Sequence, residues 1–265
     1  MKILAIMGSP KGRGAGYRIV RSMELELEKR GDVEFEYLFL KDRELEPCRG
    51  CFLCVRKGEE RCPISDERTH IEEEIDAADG VILVSPCYVY NMSWLMKNFT
   101  DRMCYTNHRP RFFGQKLVLV SNAGAGMQKT IEAMRHTLGP GPEVVYELPY
   151  LTPPWPLAEQ VQAKQRRAVA DAARALYRAV KRDEVRGGLP SSPSFSDYLR
   201  FRFFKKVSAD VAEYLPADYE YYRDKAGYYY ETRVSPVKRV AASVMLKVSA
   251  VTMKDLAPAQ SPGRA

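Results

Sequence analysis

Five short apolar runs, spaced along the first 150 residues, constrain the fold more than any other feature of this chain. They are KILAIM at 2–7, VEFEYLFL at 33–40, GVILVSP at 80–86, KLVLVSN at 116–122 and EVVYELPY at 143–150. Helix-like stretches separate them, near 17–30, 67–78, 93–103 and 128–138, and Asp66 stands where it can cap the second. The runs at 80–86 and 116–122 are apolar at nearly every position, the pattern of strands buried on both faces. This rhythm predicts an α/β protein with a doubly wound, five-stranded parallel sheet covered by helices on both sides. Such sheets bind ligands beyond the carboxyl ends of their strands, at the point where strand order reverses. The informative segments are therefore the loops at 8–16, 46–65, 86–92 and 122–127.

The remaining residues are organised differently. PYLTPPWP at 149–156 breaks the pattern, and an Ala/Arg/Gln-rich helix is expected over 157–182. GGLPSSPS at 187–194 reads as a linker, 197–215 as a helix, and 216–230 holds six tyrosines. An amphipathic helix is expected over 236–254 and a disordered tail over 257–265. The chain thus divides at sequence level into 1–182 and a mostly helical, basic, Tyr-rich extension over 183–265. Residues 1–150 carry 21 Lys+Arg against 22 Asp+Glu, whereas 151–265 carry 20 against 12, so the basic excess belongs to the second part. That excess suits acidic partners, a membrane surface or plain solvation. For the last helix, docking on the main domain or on a partner subunit is favoured over contact with a membrane, and nucleic acid is not expected.

No run of 18 apolar residues exists, so no transmembrane helix is expected. The opening MKILAIMGSP passes straight into a strand and lacks the features of a signal peptide. The reading is a cytoplasmic protein, in which the six cysteines are reduced, metal-bound or catalytic. His70, His108 and His136 have no ligand spacing, and Ser9 has no His/Asp arrangement, so a hydrolase is not supported.

Between the first strand and first helix lies Gly8-Ser9-Pro10-Lys11-Gly12-Arg13-Gly14-Ala15-Gly16-Tyr17. A phosphate needs closely approaching N–H groups, a hydroxyl donor and a helix N-terminus, and this loop offers all three with Lys11 and Arg13 besides. It lacks the Gly-Lys-Ser/Thr ending of a Walker A loop and is not a convincing dinucleotide fingerprint. Cys48, Cys51, Cys54 and Cys62 give C-x2-C-x2-C-x7-C. Closely spaced thiolates followed by a fourth are the ligand set of a [4Fe–4S] cluster. Four thiolates also suit zinc, and free thiols or a redox disulfide fit the same loop. These readings stay open here.

The segments GSPKGRGAG, CRGCFLC…CPISDER, ADGVILVSPCYVYNMSWLMKNFTDR and KLVLVSNAGAG together resemble the NADPH-dependent FMN reductase-like branch of the flavodoxin superfamily, and within it the iron–sulfur flavoproteins. The resemblance covers roughly 1–150. It implies a flavodoxin-like fold and FMN, with Ser9, Lys11, Arg13, Gly14, Gly16 and Tyr17 at the phosphate. The family's small hydroxylic or Asn residues near the loop's end are replaced by Ala15, Gly16 and Tyr17, so backbone contacts are expected there. Pro86, Cys87, Tyr88, Val89 and Tyr90 would run along the isoalloxazine, and Asn122 and Gly124 would form the third flavin loop. Asp101-Arg102 matches the family's helix ending, read as a helix-end ion pair.

The resemblance further implies an FMN-dependent oxidoreductase or electron-transfer flavoprotein, with a [4Fe–4S] cluster on Cys48, Cys51, Cys54 and Cys62. The alternatives are a cluster-free NAD(P)H-dependent FMN or quinone reductase and a non-enzymatic flavin-binding electron carrier. The expected donor is NAD(P)H or a protein such as ferredoxin, and the expected acceptor a quinone or other small molecule. A homo-oligomer is expected.

Overall fold

The structure is a computed structural model that describes residues 1–185 and 192–252, with side chains through Lys247. The linker expected at 187–194 lies mostly outside the described residues, and the tail expected at 257–265 wholly so. The described residues form two compact units, 1–50 with 63–185, and 51–62 with 192–252.

The first unit is built on a parallel sheet of β1 (Lys2–Met7), β2 (Glu34–Phe39), β3 (Gly80–Pro86), β4 (Lys116–Ala123) and β5 (Glu143–Leu151), in the order β2-β1-β3-β4-β5. The central strands are buried on both faces because alternate residues feed two separate cores. Leu4, Ile6, Val81, Leu83, Leu117 and Leu119 point to one core. Ile3, Ala5, Ile82, Val84, Val118 and Val120 point to the other. The first core is closed by α3 (Arg68–Asp76), α4 (Trp94–Arg102) and α5 (Met127–Met134), through residues such as Ile71, Ile75, Phe99 and Ile131. The second is closed by α1 (Ala15–Glu28) and α6 (Glu159–Val185), through Ile19, Met23, Leu27, Ala172 and Leu176. α6 extends three residues beyond the 182/183 boundary read from the sequence.

A buried charge group fastens the amino end of β4 to α6. Lys116, 1% exposed, pairs with Asp183 and, at 3.1 Å, with Glu143. Burial alone would raise the Asp183 carboxyl, but hydrogen bonds from Lys116 and Arg182 hold it below its ordinary value.

The second unit packs α7 (Phe195–Asp210), α8 (Pro216–Arg223) and α9 (Pro236–Thr252) around Phe201. The rings of Tyr222, Tyr228 and Tyr229 lie 6.1, 5.4 and 5.0 Å from it. Most of the tyrosine cluster is thus a small aromatic core, and burial pushes the Tyr229 phenol up to about 12. A five-residue helix, α2 (Leu53–Lys57), forms inside the cysteine segment and packs on α8. Neither α2 nor α8 was legible as a helix in the sequence. Among the described residues, no helix is long and apolar enough to cross a membrane.

Candidate functional site

Strand order reverses between β1 and β3, and the loops leaving these strands and their neighbours enclose a cleft of about 870 Å³. Its first wall is the loop into α1. The Ser9 hydroxyl accepts from the Lys11 N–H at 3.3 Å, and the Ser9 carbonyl accepts from the Gly12 N–H at 3.1 Å, so the chain doubles back over the end of β1. Gly12 has φ +60°, a conformation for which glycine is suited. Gly14 is the N-cap and offers no side-chain acceptor, which leaves the first-turn N–H groups of α1 without a capping side chain. Together with Lys11 and the macrodipole, this is an anion site by construction.

The second wall follows β3. The Cys87 N–H donates to the Asn122 carbonyl at 3.0 Å, tying this wall to the third. Tyr88 and Asn91 exchange backbone hydrogen bonds of 2.8 and 3.0 Å across Val89 and Tyr90, whose φ values are +50° and +60°. Two consecutive left-handed residues make a type I′ turn, a turn that favours Asn-Gly. Holding a β-branched valine there stores about 1–3 kcal/mol of backbone strain. The Tyr90 ring packs so closely on Gly126 that a Cβ at 126 would lie 2.7 Å from it.

The third wall follows β4. The Asn122 side-chain amide donates to Thr152 Oγ1 at 3.3 Å, while its Oδ1 is buried without a hydrogen-bond partner. A Cβ on Gly16 would lie 3.0 Å from Val84 Cγ1 and 3.3 Å from that oxygen, so glycine at 16 keeps the space between the first and third walls open. An unpaired buried acceptor costs about 1–3 kcal/mol, which a ligand donor in the cleft would recover.

Of the residues singled out in the sequence, Ser9, Lys11, Gly14, Gly16, Pro86, Cys87, Tyr88, Asn122 and Gly124 line this cleft. Arg13, Tyr17, Val89 and Tyr90 do not. Tyr17 instead stacks its ring 5.1 Å from Tyr37 on the sheet, and the Arg13 guanidinium lies 5.6 Å from the Tyr17 ring. The reason is helical geometry: one residue after Gly16 the side chain has turned from the cleft toward β2. Val89, 95% exposed, sits at the tip of its turn.

A fourth wall was missed. The segment 150–157 after β5, with Gln162, Gln165 and Arg166 of α6, closes the cleft and contributes Trp155. It is stitched in place by a 2.7 Å bond from the Thr152 N–H to the Ala123 carbonyl and by Gln165 donating to Leu151 at 2.9 Å. The same carboxyl-end rule that selected the other loops applies to this one, but its prolines read as a domain break. With Lys11, Arg18 and Arg166 and no Asp or Glu among its lining residues, the cleft is cationic.

The cysteine loop starts from a rigid base. Arg102, 3% exposed, does not pair with Asp101. It holds both carboxylate oxygens of Asp66, at 2.5 and 2.9 Å, and donates to the Glu46 carbonyl at 2.9 Å. Asp66 also accepts from the Glu46 and Arg68 N–H groups. Asn98 accepts from the Cys48 N–H at 3.0 Å and donates to the Leu45 carbonyl. Cys48 and Cys51 are exposed, Cys54 and Cys62 half-buried, and none is in a disulfide. Among the described residues, no group of three or more His, Cys, Asp or Glu side chains is gathered as a metal ion requires. The fit to a cluster therefore rests on the donor set and its spacing. The fit to FMN rests on geometry: an uncapped helix N-terminus, an orphaned acceptor and a cleft kept open at Gly16.

Order β2-β1-β3-β4-β5 with a cleft at the β1/β3 switch point defines a flavodoxin-like α/β protein. The NADPH-dependent FMN reductase family model matches residues 1–146, and the chain belongs to that family. It is similar to an iron-sulfur flavoprotein of Archaeoglobus fulgidus, 33% identical over 127 residues, which are 47% of this chain and 56% of that protein. An iron-sulfur flavoprotein of Methanocaldococcus jannaschii is 39% identical over 102 residues, 38% of this chain and 51% of that one. This chain thus spans about half the length of these two relatives. Among solved structures, the NAD(P)H:quinone oxidoreductase from Methanothermobacter marburgensis shares the fold with a TM-score of 0.53 at 18% identity, covering 67% of this chain and 97% of its own. RosB with bound 8-demethyl-8-formylriboflavin-5'-phosphate does so with a TM-score of 0.54 at 13% identity, covering 89% and 92%. The family match ends inside β5, so the fourth wall lies beyond it.

Proposed function

We propose that this chain is an FMN-dependent oxidoreductase of the cytoplasm that takes reducing equivalents from NAD(P)H and passes them to a quinone or another small acceptor. The observation that carries this reading is the cleft itself, where an uncapped helix N-terminus and the unpaired Asn122 Oδ1 both await a ligand. Ser9, Lys11, Gly14 and Gly16 would hold the FMN phosphate, and Pro86, Cys87, Tyr88, Asn122 and Gly124 would flank its ring. FMN bound there supplies hydride acceptance and onward electron delivery. The chain's part is to bind and orient. Lys11 offsets phosphate charge, the β3 and β4 loops hold their spacing through the Cys87–Asn122 bond, and Trp155 with its neighbouring prolines lines the open side.

The test is reconstitution with FMN followed by steady-state turnover with NADPH or NADH and a quinone. Turnover supports a reductase. Reduction only by a protein donor such as ferredoxin would favour an electron carrier, and failure to bind FMN would overturn both.

A second reading is favoured by the spacing of Cys48, Cys51, Cys54 and Cys62 together with the names of the relatives. In it these four thiolates would hold a [4Fe–4S] cluster, which supplies one-electron transfer. Iron and sulfide assays on anaerobically purified protein decide it.

A further inference from the structure

We propose that the outer face of α9 docks on an anionic lipid surface. The helix packs on α7, and Ala242 is fully buried among the aromatic side chains of the second unit. Its opposite face carries Val237, Val240 and Val244, spaced i, i+3, i+7, with Met245 beside them. The three valines are 78%, 65% and 57% exposed, Met245 47%, and no described residue of the second unit covers the valines. Single exposed valines are ordinary, whereas a contiguous apolar stripe along one helix marks an interaction site.

Charge selects the occupant. From Thr232 to Thr252 the sequence holds Arg233, Lys238, Arg239 and Lys247 and no Asp or Glu. Lys247 lies three residues after Val244 and seven after Val240, at the edge of the stripe, and it is exposed, as are Arg233 and Arg239. Lys238, four residues before the buried Ala242, turns toward the packed side, its ammonium donating to the Pro193 carbonyl at 2.7 Å. An apolar stripe bordered by cations and free of carboxylates complements an anionic headgroup layer above an acyl boundary. A second copy of this chain would bring the same cations against each other, which disfavours self-association through this face. The inference does not depend on the flavin reading.

The experiment is co-sedimentation of the full chain with vesicles of phosphatidylcholine alone or mixed with phosphatidylglycerol. Binding should be stronger to the mixed vesicles by about fivefold for each exposed cation that reaches the surface, and should fall as salt rises. Val240→Asp with Val244→Asp should reduce binding about tenfold or more while circular dichroism and FMN affinity stay unchanged. Arg239→Glu with Lys247→Glu should abolish the preference for anionic vesicles. Equal binding to both vesicle types, or no binding, overturns the proposal. So does a dimer seen by light scattering that the valine substitutions split while vesicles bind nothing.

Discussion

The Ser93 hydroxyl donates its hydrogen to the carbonyl oxygen of Gly8, a contact that spans 85 residues of sequence. The Ser93 Oγ also caps α4 by accepting from the Met96 N–H at 3.2 Å, and the Ser93 N–H donates to Ser85 Oγ at 2.9 Å. One fully buried serine therefore couples the first wall of the cleft to the second.

Replacing Ser93 with Ala removes the cap and leaves the Gly8 carbonyl unpaired. A stability loss of about 2 kcal/mol is expected from those two terms. FMN affinity should fall about tenfold at a temperature where the variant is fully folded, because the phosphate loop loses its anchor. Denaturant unfolding and flavin-fluorescence titration check the two effects separately. Unchanged affinity beside the lost stability would reduce Ser93 to a cap.

Asn122 differs because its acceptor has no partner. Asn122→Ala should cost the empty protein at most about 1 kcal/mol, for the single weak bond to Thr152. FMN binding should weaken about tenfold, since the ligand loses a preformed acceptor. Thermal melts with and without FMN measure both; equal shifts would mean that Oδ1 is not used by the ligand.

The Val89–Tyr90 turn is the strained part of the site. Val89→Asn should raise the stability of the empty protein by about 1 kcal/mol, since asparagine tolerates the left-handed conformation far better than a β-branched residue. A lower melting temperature would show that packing, not backbone strain, governs this turn.

Asp183 gives a pH signature. Its carboxyl is held below the ordinary 3.8, so the stability it contributes is complete above that value and is lost as pH falls through the lower folded value. Unfolding midpoints should therefore drop below about pH 4, and Asp183→Asn should flatten that limb. At neutral pH the variant should be about 1–2 kcal/mol less stable, because buried Lys116 loses one of its two carboxylate partners and keeps Glu143. An acid limb that survives the substitution would assign it to other carboxylates.

If the cysteine loop holds a cluster, Cys51→Ala should lower iron from about four per chain to near background. The visible flavin bands of the reconstituted protein should persist. Iron absent from the unsubstituted, anaerobically purified chain would remove the cluster reading.

By itself the sequence determined the sheet, its parallel sense and the three loops that open at its carboxyl edge. Those depend on local patterns: runs such as GVILVSP are apolar at nearly every position because both faces are buried, and Gly12 meets a backbone demand readable in one dimension. Only the tertiary structure decided which side chains share a cleft. Tyr17 turned to the sheet, and Arg102 chose Asp66, 36 residues away, over adjacent Asp101. Trp155 and Arg166 became a wall although their segment read as a break. The physical reason is that such partnerships are set by which elements the fold brings to one edge, and burial then selects the pair that best satisfies each charge and hydrogen bond. The same holds for Tyr222 and Tyr228: composition shows only a tyrosine-rich stretch, and packing on Phe201 makes it a core.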